Sequence, residues 1–155
     1  MATTSQLHDV KVALVDALRL RAGLAGVPVY SALVSSEDRH NTTTNAIESI
    51  EFAGDADSEQ GWGAIGKFTR DETLRILGMV YVQKDGAGED VIRSARARAL
   101  ALWAEVETYL RGDPSIGNTV KYVHKWQFRC DEWAQDQQRR CALFFVIETF
   151  NQLRS

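Results

Sequence analysis

The chain has 155 residues, of which 45% are hydrophobic and 25% charged, and its formal net charge is -3 at pH 7. This is a globular mixture that excludes disorder across the bulk, and at this length one domain buries roughly 70% of its unfolded surface without needing a staple. The small negative charge supplies no global basic field for neutralising phosphates, which argues against tight DNA binding.

Residues 3–21 read as a helix: Leu7, Val10, Leu14 and Leu18 recur at spacings of three and four, and Thr3 with Gln6 has the pattern of a capping box. Gly23, Gly26 and Pro28 end it. Residues 27–34 are short and apolar and predict a strand, and residues 35–45 form a polar segment of the kind that serves as a contact loop. Strand-like alternation resumes over residues 46–53, and residues 54–61 read as an acidic loop carrying Asp55, Asp57 and Glu59. Residues 72–83 alternate as a strand, with Leu74, Ile76, Val80 and Val82 on one face. Asp85, Gly86 and Gly88 then break the chain before the longest helix, residues 89–111, which Gly112 and Pro114 terminate.

Over residues 119–133 apolar and polar residues alternate, with Val120, Tyr122, Trp126, Phe128 and Cys130 on one side and Lys121, Lys125, Gln127, Arg129 and Asp131 on the other. An unrelieved apolar run over residues 141–147 follows. Together they predict a long hairpin of one half-buried and one fully buried strand. A hairpin loop over residues 134–137 would set Cys130 opposite Cys141; packed thiols of a reducing interior fit two cysteines better than a disulfide scaffold or a four-ligand zinc site. The order of helix, strands, helix and hairpin has no βαβ alternation. It predicts a single α+β domain over residues 1–155, with a mainly antiparallel sheet of about four to five strands and the N-terminal and long helices packed on one face. No apolar run approaches the roughly 20 residues that span a bilayer, and no cationic segment precedes an apolar one at the N-terminus, so the chain reads as soluble, without membrane contact.

No catalytic motif is found. His8, His40 and His124 lack metal or triad spacing, and His124, among apolar neighbours on its strand face, reads as a partly buried structural residue. Asp38, Arg39 and His40 are adjacent on a loop that cannot hold the geometry of proton transfer. Asp55, Asp57 and Glu59 alternate as calcium ligands can, but Gln60 and Gly66 stand where an EF-hand loop needs Gly and Glu. Gly61, Gly63 and Gly66 spell G-x-G-x-x-G without the helix a phosphate cradle opens. The arginines of the long helix, with Trp103, fall short of an RNA-binding surface and suit an acidic protein neighbour. No catalytic residue, cofactor or metal is therefore assigned. A long strand with a polar free face points instead to a platform for partners.

The order of elements, and certain segments, resemble the tail terminator (tail completion) proteins of long-tailed bacteriophages. The segment Trp62, Gly63, Ala64, Ile65, Gly66 leads to a strand opened by Arg70, Asp71 and Glu72; an Ala- and Arg-rich helix follows at Ser94 to Leu100, with its exit at Gly112 to Gly117. The resemblance covers nearly the whole chain. It implies a structural virion protein of the tail and neck, assembled in the host cytoplasm. Such a protein forms a homohexameric ring that ends tail-tube polymerisation and joins tail to head while DNA passes through the lumen. The implied partners are further copies of the chain, the major tail tube protein, the head-tail connector or stopper protein and the tape measure protein. No enzyme activity comes with it. Arg39, His40, Trp62, Arg93, Arg96, Lys125 and Arg129 are the expected interface residues, and Asp55, Asp57 and Glu59 the expected lumen lining. Three alternatives stand beside this reading. One is a head-completion or stopper protein of the neck. Another is a small α+β hydrolase or ligand-binding domain with His124 and a carboxylate such as Asp131 in one pocket, and the last is a DNA-binding accessory.

Overall fold

The computed structural model describes residues 4–35, 39, 41–43, 46–62 and 69–154, with the backbone alone for residues 41–43, 54–57 and 62. Helix α1 (Leu7–Arg19) is followed by a 3-10 turn (Ala22–Leu24), strands β1 (Val29–Tyr30), β2 (Asn41–Thr43), β3 (Ala46–Trp62) and β4 (Thr69–Asp85), helix α2 (Glu89–Gly112), and strands β5 (Tyr122–Gln135) and β6 (Gln138–Arg154). The fold is α+β as expected. Its sheet has six strands in the order β1-β3-β4-β6-β5, with β2 also on β3, and every pairing except β1 with β3 is antiparallel.

Both helices cover the same face. Val10, Leu14 and Leu18 of α1 and Ala99, Leu102, Trp103 and Val106 of α2 share one core with Ile50, Phe52, Leu74, Ile76, Val80, Leu143, Phe145 and Ile147 of the sheet. Gly78 makes its centre possible. It lies between Phe52 on β3 and Phe145 on β6 in the register, and a Cβ there would stand 2.3 Å from the Phe145 ring and 2.9 Å from the Glu51 carbonyl oxygen. The missing side chain lets Phe52 and Phe145 meet edge to face at 5.6 Å, with Trp103 stacked on Phe145 at 4.8 Å. Ion pairs tie the helical layer to the sheet: Arg98 to the buried Glu48 at 2.9 Å, and Arg96 to Glu132 at 2.8 Å.

Several expectations change. Helix α1 starts at Leu7, and its N-cap, Gln6, makes no side-chain cap bond; the Gln6 N–H instead donates to Glu72 Oε1 at 3.0 Å, anchoring the helix to β4. Thr3 lies outside the described residues. The strand expected over residues 27–34 contracts to Val29–Tyr30. Residues 54–61, read as an acidic loop, belong to β3. After an irregularity between Phe52 and Ala56 the β3 ladder continues on β4 as far as Trp62 opposite Arg70, because β4 itself reaches back to Thr69 and offers backbone partners throughout. Asp55, Asp57 and Glu59 are thus strand residues.

The hairpin differs in turn and register. It closes on Asp136 and Gln137, with Asp136 at φ 53°, and sets Gln135 opposite Gln138. Cys130 therefore faces Leu143 and meets Cys141 diagonally, Sγ to Sγ 3.1 Å, as two free thiols. A register shift between Val123 and Lys125 makes His124 the extra residue and reverses the side-to-face pattern there. Val123 and Trp126 accordingly pack on the core. Tyr122, expected on their side, is exposed and stacks on Phe150 at 5.2 Å, and the His124 side chain is 56% exposed rather than partly buried among apolar neighbours.

The Gly78 geometry predicts that Gly78→Ala overpacks the aromatic centre and lowers unfolding stability by about 1–3 kcal/mol. Denaturant unfolding measures this, and an unchanged midpoint would show that Phe145 moves aside at no cost.

Candidate interaction surface

The face of the sheet away from the helices carries the features that the packing leaves unexplained. The apolar run of β6 is buried on one side only. Cys141, Leu143, Phe145 and Ile147 enter the core, whereas Phe144 between them is 40% exposed on the free face. With Leu33, Ala53, Leu77, Met79 and Val146, Phe144 lines an open groove of about 410 Å³, and Arg129 lies over its ring at 5.4 Å. A strand with only one face covered does not need three consecutive large apolar residues, so the run over residues 143–145 already signalled this groove.

Beside the groove, Val34 and Arg39 meet the free face at Glu51. Arg39 makes a two-pronged bond to the fully buried Glu51, through Nε at 2.9 Å and Nη2 at 2.8 Å. The Val34 N–H donates to Glu51 Oε1 at 3.0 Å, and Ser49 donates its hydroxyl proton to the same carboxylate. The guanidinium lies over Tyr81 at 4.4 Å, whose hydroxyl donates to Gln83 Oε1 at 2.7 Å. The Glu51 hydrogen bond raises the Arg39 pKa, and burial raises that of Tyr81. Arg39 and Val34 are thus both held on the Glu51 carboxylate.

A row of alternating charge crosses the four long strands on this free face. Glu59 of β3 lies 3.4 Å from Arg75 of β4, Arg75 lies 3.4 Å from Glu148 of β6, and Glu148 lies 4.0 Å from Lys125 of β5. The row starts with an anion at one side of the sheet and ends with a cation at the other. His124 joins it at 3.9 Å from Glu148.

The expected interface residues do not form one patch. Lys125 and Arg129 share the free face at β5. Arg93 and Arg96 lie on α2 in the opposite layer, Arg93 bonded to Glu89 at 2.6 Å and Arg96 to Glu132. His40 and the Trp62 side chain lie outside what the structure describes, as do the side chains of Asp55 and Asp57 and the glycines at 63 and 66. The pocket expected to join His124 and Asp131 is absent from the described residues: seven residues of extended chain, at about 3.3 Å each, separate them along β5, and Asp131 bonds Arg129 at 3.1 Å.

The sequence reading brought Cys130 to Cys141 but missed Glu132, because the observed register is shifted and sets Glu132 opposite Cys141. Cys130, Cys141 and Glu132 bring their ligand atoms within 4.8 Å of one another. Burial pushes the Cys141 thiol well up, and Glu132 is engaged by Arg96, so the arrangement disfavours Cys141 as a thiolate ligand.

Among known proteins, no family model and no curated protein matches the chain. Among solved structures the chain is similar to one from the virion of a native gene transfer agent particle, at 13% identity and a TM-score of 0.46, over 96% of this chain and all of that one.

Removing the cation above Glu51 tests the role given to Arg39. Arg39→Ala leaves a buried carboxylate without its partner and is expected to cost about 3 kcal/mol in chemical denaturation. A loss below about 1 kcal/mol, the range of an exposed surface pair, would contradict it.

Proposed function

We propose that the chain is the subunit of a homohexameric ring at the capsid-proximal end of a phage tail tube. The ring ends tube polymerisation and joins the tail to the head and neck while DNA crosses its lumen. Its partners are its own copies, the major tail tube protein, the connector or stopper protein above it and the tape measure protein, and it works in the virion without catalysis. The resemblance of the Arg70–Glu72 strand opening, the Ala- and Arg-rich helix and its exit supports the family. The observation that carries the reading is the sheet itself. Of its four long strands, the outer two keep unpaired stretches among the described residues, and the face away from the helices keeps an apolar groove beside a charge row. Such a subunit is built to be continued, and a rotating head-to-tail contact that closes gives a ring.

For the hydrolase alternative, His124 is far from Asp131, and the carboxylate beside it is Glu148 at 3.9 Å, which also faces Arg75 and Lys125 in the charge row. Asp55, Asp57 and Glu59, first read as a lumen-lining loop, stand on β3, and the proposal takes Glu59 as a contact residue instead.

The purified chain, alone or with tube protein, is expected to show six times the monomer mass in native mass spectrometry, and to shorten tubes when added during their polymerisation. A monomer in both conditions would overturn the ring. A ring that ignores tubes and binds portal-side proteins would identify a stopper instead.

A further inference from the structure

The charge row on the free face is unfinished at both ends. At β3 it ends on Glu59, whose side chain is 73% exposed, and at β5 on Lys125, whose side chain is 60% exposed. These are also the places where the sheet's backbone has no neighbour among the described residues. β1 and β2 occupy the outer side of β3 only near its start, facing Ala46, Ile47, Ile50 and Glu51, and among the described residues nothing pairs with residues 55–62 of β3 on that side. On β5 the Val123 N–H is taken by the Pro114 carbonyl oxygen at 2.7 Å, and from Lys125 onward only β6 pairs with the strand. Each edge is long, and neither carries a proline.

We propose that these two edges join copies of the chain: β5 of one copy pairs antiparallel with residues 55–62 of β3 in the next, placing Lys125 opposite Glu59 of that copy. The proposal rests on the ring reading and specifies its contact. Two facts select it. The first is strand direction. Three successive antiparallel pairings separate β3 from β5, so β3 and β5 run in opposite directions. A neighbour turned about an axis along the strands therefore presents its β3 antiparallel to β5.

The second is charge. Glu59, Arg75, Glu148 and Lys125 alternate in sign across one subunit, and the next Glu59 continues the alternation without a break. β5 has no acid from Lys125 to Arg129, and β3 has no base from Asp55 to Glu59. Parallel pairing would satisfy the charges but would invert alternate subunits, which a rotation about one axis cannot do.

Because Glu59 and Lys125 are exposed, Glu59→Lys and Lys125→Glu leave the monomer folded, as circular dichroism and thermal unfolding will register. Each single variant is expected to weaken association about tenfold at every subunit boundary, since it replaces an opposed pair with a repelling one. The double variant Glu59→Lys with Lys125→Glu, which restores opposite signs across the boundary, is expected to recover the wild-type ring, read by native mass spectrometry and sedimentation over a concentration series. Rings unchanged in both single variants, or a folded double variant that does not recover, would overturn this contact while leaving the ring reading in place. A wild-type chain that never forms a ring would overturn both.

Discussion

The structure depends on the ladder between β4 and β6. It runs without interruption from Thr69 opposite Arg154 to Asp85 opposite Gln138, and among the described residues these two strands alone find partners on both sides along most of their length. Backbone N–H and C=O groups buried without partners are costly, so this pair forms the inner sheet and decides what must pack on it. Gly78 sits in its middle, and Phe52, Phe145 and Trp103 fill the space above it. Two amphipathic helices supply enough apolar surface for one face. The other face keeps its water-accessible edges, a partly covered patch under Arg39, and the groove around Phe144.

That asymmetry connects packing to function. In water an unpaired edge is hydrated at no cost, yet it stays a template for another strand. A chain with one such edge invites uncontrolled association. Two edges of opposite charge, with a rotation that closes, give a counted assembly instead. The row from Glu59 through Arg75 and Glu148 to Lys125 has little value for the isolated chain, because exposed ion pairs contribute about 0–1 kcal/mol each. Its worth lies in selecting a register, where a slip by one residue would turn each strand's side chains to the wrong face.

Much of the architecture was legible in the residues. Helix α2 was readable almost to its ends because Gly88 and Gly112 bracket a clean apolar stripe, and β4 because Leu74, Ile76, Val80 and Val82 alternate. What failed had a common cause: edge and register are non-local. Asp55, Asp57 and Glu59 read as a loop because three carboxylates and two glycines favour solvent, and only the length of β4 holds them in a strand. The bulge at His124 leaves no mark in the sequence, so a strict period of two put Tyr122 and His124 on the wrong side. Arg39 looked like a free loop cation, since its partner Glu51 lies twelve residues on. The charge row was invisible because its four members come from four strands.

Amide hydrogen exchange, compared between the dissociated chain and the assembled ring, tests the central claim most directly. The account predicts that alternate amides of residues 125–129 and 55–59 exchange quickly in the monomer and become protected together on assembly, while the β4–β6 ladder is slow in both states. Equal, fast exchange at these two edges in the ring would contradict it, and would move the subunit contact to some other part of the surface.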